Sequence, residues 1–169
     1  HALATIVGSE TVERAKAQLP LSLQAELETL TAVTWLPNTT LGALVDEVAS
    51  CAGREPEALI DQAVRTAVDR TFKSVWRMFL RVTSDDALIK RTPMIYQRSR
   101  NTGQLNARVI EPGHAELLLT DWPSVSERHL RTIGVSIQRI VELAGRHDVR
   151  LTIQRTAEGG RYQLRWREA

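Results

Sequence analysis

Cysteine, aromatic residues, lysine and long apolar runs are all scarce in this chain of 169 residues. Its single cysteine, Cys51, excludes an intrachain disulfide and a multi-cysteine metal site. The apolar helical pattern around Cys51 reads as that of a buried structural thiol. No stretch approaches the roughly 18 apolar residues that a membrane-spanning helix needs. No charged-then-apolar leader is visible, so export is not expected and a cytoplasmic location is. Histidine is absent between His1 and His114. The later ones, His114, His129 and His147, lack the short spacing of metal ligands. No glycine turn matches a P-loop or a dinucleotide fingerprint, and no GxSxG elbow appears. An enzyme is therefore not expected, and neither is a metal or cofactor.

What is present is an ordinary globular composition, 43% hydrophobic and 25% charged, sufficient for one domain with a sizeable core. The net charge is +2 but unevenly spread. Residues 1–64 carry three basic and nine acidic side chains, and residues 65–169 carry 19 and 11. Arginine outnumbers lysine 19 to 3, which a GC-rich genome alone would explain.

Helical periodicity fills the first hundred residues. Ser9 is placed to cap a helix that Pro20 ends. A second helix follows over about 21–32. Thr39 or Thr40 can cap a third over 41–52, closed by Gly53. Pro56 suits the first turn of a long helix to about Val82, with acid-before-base pairs four apart on its polar face. Ser84 can cap the next, to about Arg100, which Pro93 should bend or split.

From Gly103 the period changes to two. Leu105, Ala107 and Val109 share a face, then Ala115, Leu117 and Leu119, with a turn at Glu111-Pro112-Gly113-His114. A helix opens at Ser124-Val125-Ser126-Glu127, a capping-box pattern. Its buried stripe is Leu130, Ile133, Ile137, Ile140, Val141 and Ala144, and close packing would explain Gly134 within it. A second hairpin turns at Glu158-Gly159-Gly160. The pattern predicts an α+β fold, with a helical N-terminal layer packed on a four-stranded antiparallel sheet built as hairpin–helix–hairpin. We expect a single domain over 2–169, with a helical part over 2–55 and a core over 56–169.

Two surfaces attract a functional reading. The alternate face of the second hairpin carries Arg150, Arg161, Arg165 and Arg167. A nucleic-acid surface would pair them with exposed aromatics, but alternation sends Tyr162 and Trp166 to the apolar side. A solvated face is the plainer reading. A cavity between helices and sheet is the other. Trp76, Phe79 and Tyr96 could line it or be plain core. Arg98 and Arg100 could meet an anion at its mouth or be exposed at a helix end.

The run TFKSVWRMFLRVTSDDALIKRTPMIYQRSRNTGQLNARVIEPGHAELLLTDWP, with GVSIQRIVELAGRHDVRLTIQRT and YQLRWR, resembles a myxobacterial protein family. In organisation it is similar to ligand-binding domains of the 4-vinyl-reductase type, which belong with heme nitric-oxide-binding domains and TRAPP subunits. That resemblance implies helices over a four-stranded sheet, a pocket for a small hydrophobic ligand or a filled-in version of it, and dimerisation through helices. Heme-binding relatives carry a Tyr-x-Ser-x-Arg motif. Tyr96 and Arg100 match it, but Arg98 stands at the serine position. Such relatives also need a histidine on an earlier helix, which this chain lacks, so heme is not expected. Residues 155–164 contain none of the cysteines of the vinyl-reductase type, so zinc is not expected either.

The function expected is a non-catalytic sensory or adaptor domain, homodimeric, acting through a small hydrophobic ligand, a protein partner, or both. The site residues are Trp76, Phe79, Tyr96, Arg98 and Arg100. A nucleic-acid-associated regulator using the basic C-terminal half is the alternative.

Overall fold

The structure, a computed structural model, describes residues 1–30, 37–72, 80 and 83–167. The chain divides into two compact units, 1–67 and 68–169.

The first unit is helical: α1 (Ala2–Val7), α2 (Ser9–Gln18), α3 (Leu21–Glu28), α4 (Asn38–Ala52) and most of α5 (Pro56–Thr71). Its core joins Val12, Ala15 and Leu19 to Leu44, Val48, Ala49 and Leu59. These recur at three- and four-residue steps, so each helix presents one apolar stripe. Gly53 closes α4 in the left-handed region, as its sequence position predicts. Two local expectations fail. Pro37, rather than Thr39 or Thr40, precedes α4, and Thr40 is instead buried with its hydroxyl on the Glu26 carboxylate at 2.5 Å. Cys51 is half-buried rather than buried, its Sγ 3.5 Å from Gln18 Oε1.

The second unit carries the end of α5, then α6 (Asp85–Ser99), β1 (Gln104–Glu111), β2 (His114–Thr120), α7 (Glu127–Leu143), β3 (His147–Thr156) and β4 (Gly159–Arg167). The chain is α+β, with one four-stranded antiparallel sheet in the order β1-β2-β4-β3. Both hairpins and the helix between them stand where the periodicity put them. Helix α6 lies along β1, and α7 crosses β3 and β4.

Burial alternates along β2 and, from Gly160 on, along β4, so one sheet face packs under the helices while the other is half-buried on β2 and exposed on β4. Leu117, Leu119, Tyr162 and Leu164 on the packed face are fully buried, and the stripe of α7 meets them. Gly134 is explained by that approach: a Cβ there would sit 2.8 Å from Leu151 Cδ2 and 2.9 Å from Ile153 Cδ1. In the first hairpin, Gly113 turns at φ +74°, and a Cβ would meet the Trp166 carbonyl oxygen at 2.6 Å.

Two helix details depart from expectation. Helix α6 runs through Pro93 without splitting. The preceding residue, buried Thr92, turns its hydroxyl back to the Leu88 carbonyl at 3.3 Å, and buried Leu88, Ile89 and Tyr96 pack both sides of the proline into one core. The cap of α7 is Ser126 rather than Ser124: Ser126 Oγ accepts from His129 N–H at 3.2 Å. The residue at the third helical position is therefore His129, not Glu127.

Long-range polar ties fasten α5, α6 and α7 within this unit. Arg139 of α7 forks onto Asp69 of α5 with Nε–Oδ1 at 2.8 Å and Nη2–Oδ2 at 3.0 Å. Asp69 thus serves a tertiary bond beyond the pairing along α5 that its sequence position suggests. Arg146 donates to Asp85 Oδ1 at 2.7 Å and to the Thr83 carbonyl at 2.7 Å, while Trp166 Nε1 donates to Asp85 Oδ2 at 3.0 Å.

Candidate functional site

At the C-terminal end of α6 the chain leaves the helix in extended conformation at Arg100. Helical spacing puts Tyr96 one turn earlier on the same side. Tyr96 is buried, and its hydroxyl donates to the Thr102 carbonyl at 2.7 Å, folding the 100–103 turn back on the helix. Arg100 is partly buried. Burial pulls its guanidinium pKa below the usual arginine value, while Tyr96 and Tyr162 oppose that fall. Arginine remains charged at any physiological pH. Among the described residues no carboxylate pairs with it.

Tyr162 comes from the middle of β4 and is fully buried. Its hydroxyl has no hydrogen-bond partner among the described residues. Burial, and secondarily Tyr96, pushes the Tyr162 phenol well above its ordinary value, with Arg100 acting the other way. Burial likewise raises Tyr96. The arrangement is a cation with no carboxylate partner and an O–H with no acceptor among the described residues, close enough to influence each other and each able to hold an anionic oxygen.

His129, half-buried at the start of α7, closes the cluster. Its pKa lies below 6.5, first because of burial and then because Arg100 and Arg128 repel a second positive charge. Ser126 Oγ sits 2.7 Å from its Nδ1 while accepting its backbone N–H. One hydroxyl therefore caps the helix and also holds the imidazole Nδ1. The sign follows from linkage: a depressed folded-state pKa means the unfolded chain binds the proton first. Stability should be constant above the unfolded value near 6.5, fall as pH drops through it, and level off below the folded value. Urea melts of wild type and His129→Gln between neutral and mildly acidic pH will measure this. A loss of equal size in both proteins would remove His129 as the cause.

Of the five residues singled out in the sequence, the structure brings Tyr96 and Arg100 into this cluster. Arg98 is exposed on α6, away from them in helical phase. Trp76 and Phe79 lie outside the described residues. Sequence reasoning missed Tyr162 and His129 as members. Tyr162 was legible as inward-facing, and a buried tyrosine ordinarily finds a partner for its hydroxyl; that requirement was the available signal. His129 gave none, because only the tertiary fold brings α7 beside the end of α6.

No group of three or more His, Cys, Asp or Glu side chains among the described residues could hold a metal ion. In the first unit, Glu13, Lys16, Ala17, Gln24, Leu27 and Glu28 line a groove of about 260 Å³. Three of its polar groups are engaged with each other or the backbone, Lys16 with Glu13 at 2.7 Å and Gln24 with the Leu19 carbonyl at 2.7 Å. No described helix is long and apolar enough to cross a membrane.

No protein-family model matches the sequence, and no curated protein matches it. Solved structures do. The Fe(II) unliganded H-NOX protein from K. algicida superposes with a TM-score of 0.70 at 11% identity, over 99% of this chain and 91% of that one. An oxygen-binding H-NOX domain related to soluble guanylate cyclases, in its oxygen complex, gives 0.68 at 11% identity, over 98% and 89%. A point variant of the T. tengcongensis H-NOX gives 0.68 at 11% identity, over 97% and 91%. At such identities the likeness is one of fold, and it extends along nearly the whole chain.

That fold raises the question of heme, and no histidine, thiol or tyrosine among the described residues offers it a ready axial ligand. Heme iron needs a histidine, thiolate, methionine or tyrosinate ligand. His147 is exposed at the start of β3, His114 faces away from the helix-covered side of β2 with its Nδ1 3.5 Å from Glu111 Oε1, and the half-buried ring of His129 packs on Trp122 with its Nδ1 held by Ser126. The Cys51 thiol lies in the other unit, against Gln18 and Glu47. Tyr96 and Tyr162 have pKa values moved away from the tyrosinate form.

Proposed function

We propose that this chain is a non-catalytic sensory or adaptor domain that binds a small hydrophobic ligand bearing an anionic group and relays its presence to a protein partner. The observation that carries the reading is the pairing of Arg100, which has no carboxylate partner among the described residues, with the buried and unpartnered Tyr162 hydroxyl. A carboxylate meeting both would satisfy two groups that cost stability while unpaired. The end-to-end likeness to H-NOX folds supports a sensory role, since the proteins so named include an oxygen-binding domain related to soluble guanylate cyclases. In this reading Tyr96 positions Arg100, Trp76 and Phe79 supply apolar lining, and Arg98 stands at the mouth. The likeness to 4-vinyl-reductase-type and TRAPP proteins, the homodimer and the action of both units as one domain are parts of the same proposal.

Dodecanoate and dodecanol test it, with melting temperature as the readout and native mass spectrometry of the purified protein beside it. Dodecanoate should raise Tm more than the alcohol, and Arg100→Gln should erase the difference. Equal response to both compounds, or none together with no co-purified ligand, would remove the ligand. Hemin added to the same sample should give no coordinated spectrum; a sharp shifted Soret band would reverse the argument from the donor set. Light scattering that reports a strict monomer would remove the dimer.

A further inference from the structure

The wet face of the sheet holds an electrostatic arrangement that the fold does not require. On β4, Arg161, Gln163, Arg165 and Arg167 are all exposed, and on β3 so are Arg150, Thr152 and Gln154. Register puts Thr152 opposite Gln163, Gln154 opposite Arg161, and Arg150 directly opposite Arg165. Like charges facing each other across a ladder destabilise it.

The neighbouring arginines are balanced. Arg167 has Asp148 at 3.3 Å, and Glu116 serves both Arg108 at 2.7 Å and Arg161 at 3.6 Å. Arg150 and Arg165 have no acidic partner among the described residues. The result is a polar strip in which two facing guanidinium groups, next to the irregularity between His147 and Arg150, lack an acidic partner among the described residues and have amide and hydroxyl side chains beside them.

We infer that this strip of β3 and β4 docks an acidic segment of a partner protein, whose carboxylates fork onto Arg150 and Arg165. Arginine suits carboxylates because its planar fork makes two parallel bonds to one acid group. Glutamine and threonine on the same strip offer hydrogen bonds to a peptide backbone. A single-stranded nucleic acid would want aromatic platforms. Here Tyr162 and Trp166 face inward, 0% and 6% exposed. The surface goes beyond the ligand reading and does not rest on it, because no residue of the strip belongs to the Arg100 cluster.

Fluorescence anisotropy at low salt tests the surface on the full chain. The probes are a fluorescein-labelled alternating glutamate–serine peptide, a lysine–serine peptide, and a mixed-sequence single-stranded DNA of equal charge number. The acidic peptide should bind, the basic one should not, and the DNA should bind more weakly than the acidic peptide. Arg150→Gln/Arg165→Gln should weaken peptide binding about ten-fold, whereas Arg91→Gln, on exposed α6 surface, should leave it unchanged. Tighter binding of DNA, no binding of the acidic peptide, or equal binding by the double variant would overturn the proposal. Arg150→Glu guards against a folding artefact: it places an acid opposite Arg165 and should melt no lower than wild type. A lower melting temperature would contradict the opposed-charge reading on which the proposal stands.

Discussion

Replacing Asp85 with alanine should cost about 3–5 kcal/mol, the usual loss when one partner of a buried ion pair is removed. Its side chain and that of Arg146 are 13% and 11% exposed. Each carboxylate oxygen is used: Oδ1 accepts from Arg146 Nε at 2.7 Å and Oδ2 from Trp166 Nε1 at 3.0 Å. Alanine would leave a buried guanidinium with only the Thr83 and Ala144 carbonyls, and an indole N–H with no acceptor. It would also remove a negative charge from the first turn of α6, where the helix dipole favours one. In a chain of this length the loss corresponds to a Tm drop of about 6–20 °C. Asp85→Asn keeps the shape and one acceptor, so it should fall between. Differential scanning calorimetry of both variants measures the effect, and a drop in Asp85→Ala no larger than a surface substitution gives would show that water replaces the carboxylate at little cost.

Tyr162→Phe has the opposite sign. Deleting a buried hydroxyl that has a partner destabilises, but deleting one without a partner removes a desolvation cost of about 1–3 kcal/mol. Tyr162 is 0% exposed, and its oxygen is unbonded among the described residues. The ligand-free protein should therefore be stabilised by roughly that amount. The ring stays in place between Leu117 and Ile153, with which it is in register, so packing changes little. The same variant should gain less Tm from dodecanoate than wild type does, because one of the two groups that meet the acid has gone. A destabilised Tyr162→Phe would mean that the hydroxyl is satisfied in solution, and the proposed anion site would lose half of its basis.

Much of the fold was legible because its signals are local. The two-residue alternation over 104–120 and 147–167 fixed both hairpins and the inward direction of Tyr162 and Trp166. The three- and four-residue steps of 130–144 fixed the buried stripe of α7, and all six residues expected there are buried. Capping at Ser84 was also visible, since the serine and the Ala87 N–H it accepts are three residues apart. Where two serines competed, at Ser124 and Ser126, the local pattern misled. A capping box was read from Glu127, and the hydroxyl that actually reaches a backbone N–H belongs to Ser126. Pro93 misled as to a split, because buried Leu88, Ile89 and Tyr96 on both sides of the proline pack into one core.

The sequence by itself determined the inward and outward faces of the hairpin strands and of α7, and that no histidine lies between His1 and His114. These follow from composition and from periodicities set by backbone geometry. The tertiary structure alone decided which side chains meet. Arg146 and Asp85 are 61 residues apart, Trp166 and Asp85 are 81, and Arg139 and Asp69 are 70. No periodicity reaches across such separations, because their pairing depends on how α5, α6, α7 and β4 pack together. The gathering of Arg100, Tyr162 and His129 has the same origin. Alternation could point Tyr162 inward, but only the packed layers could bring it within the electrostatic reach of Arg100, which has no carboxylate partner among the described residues.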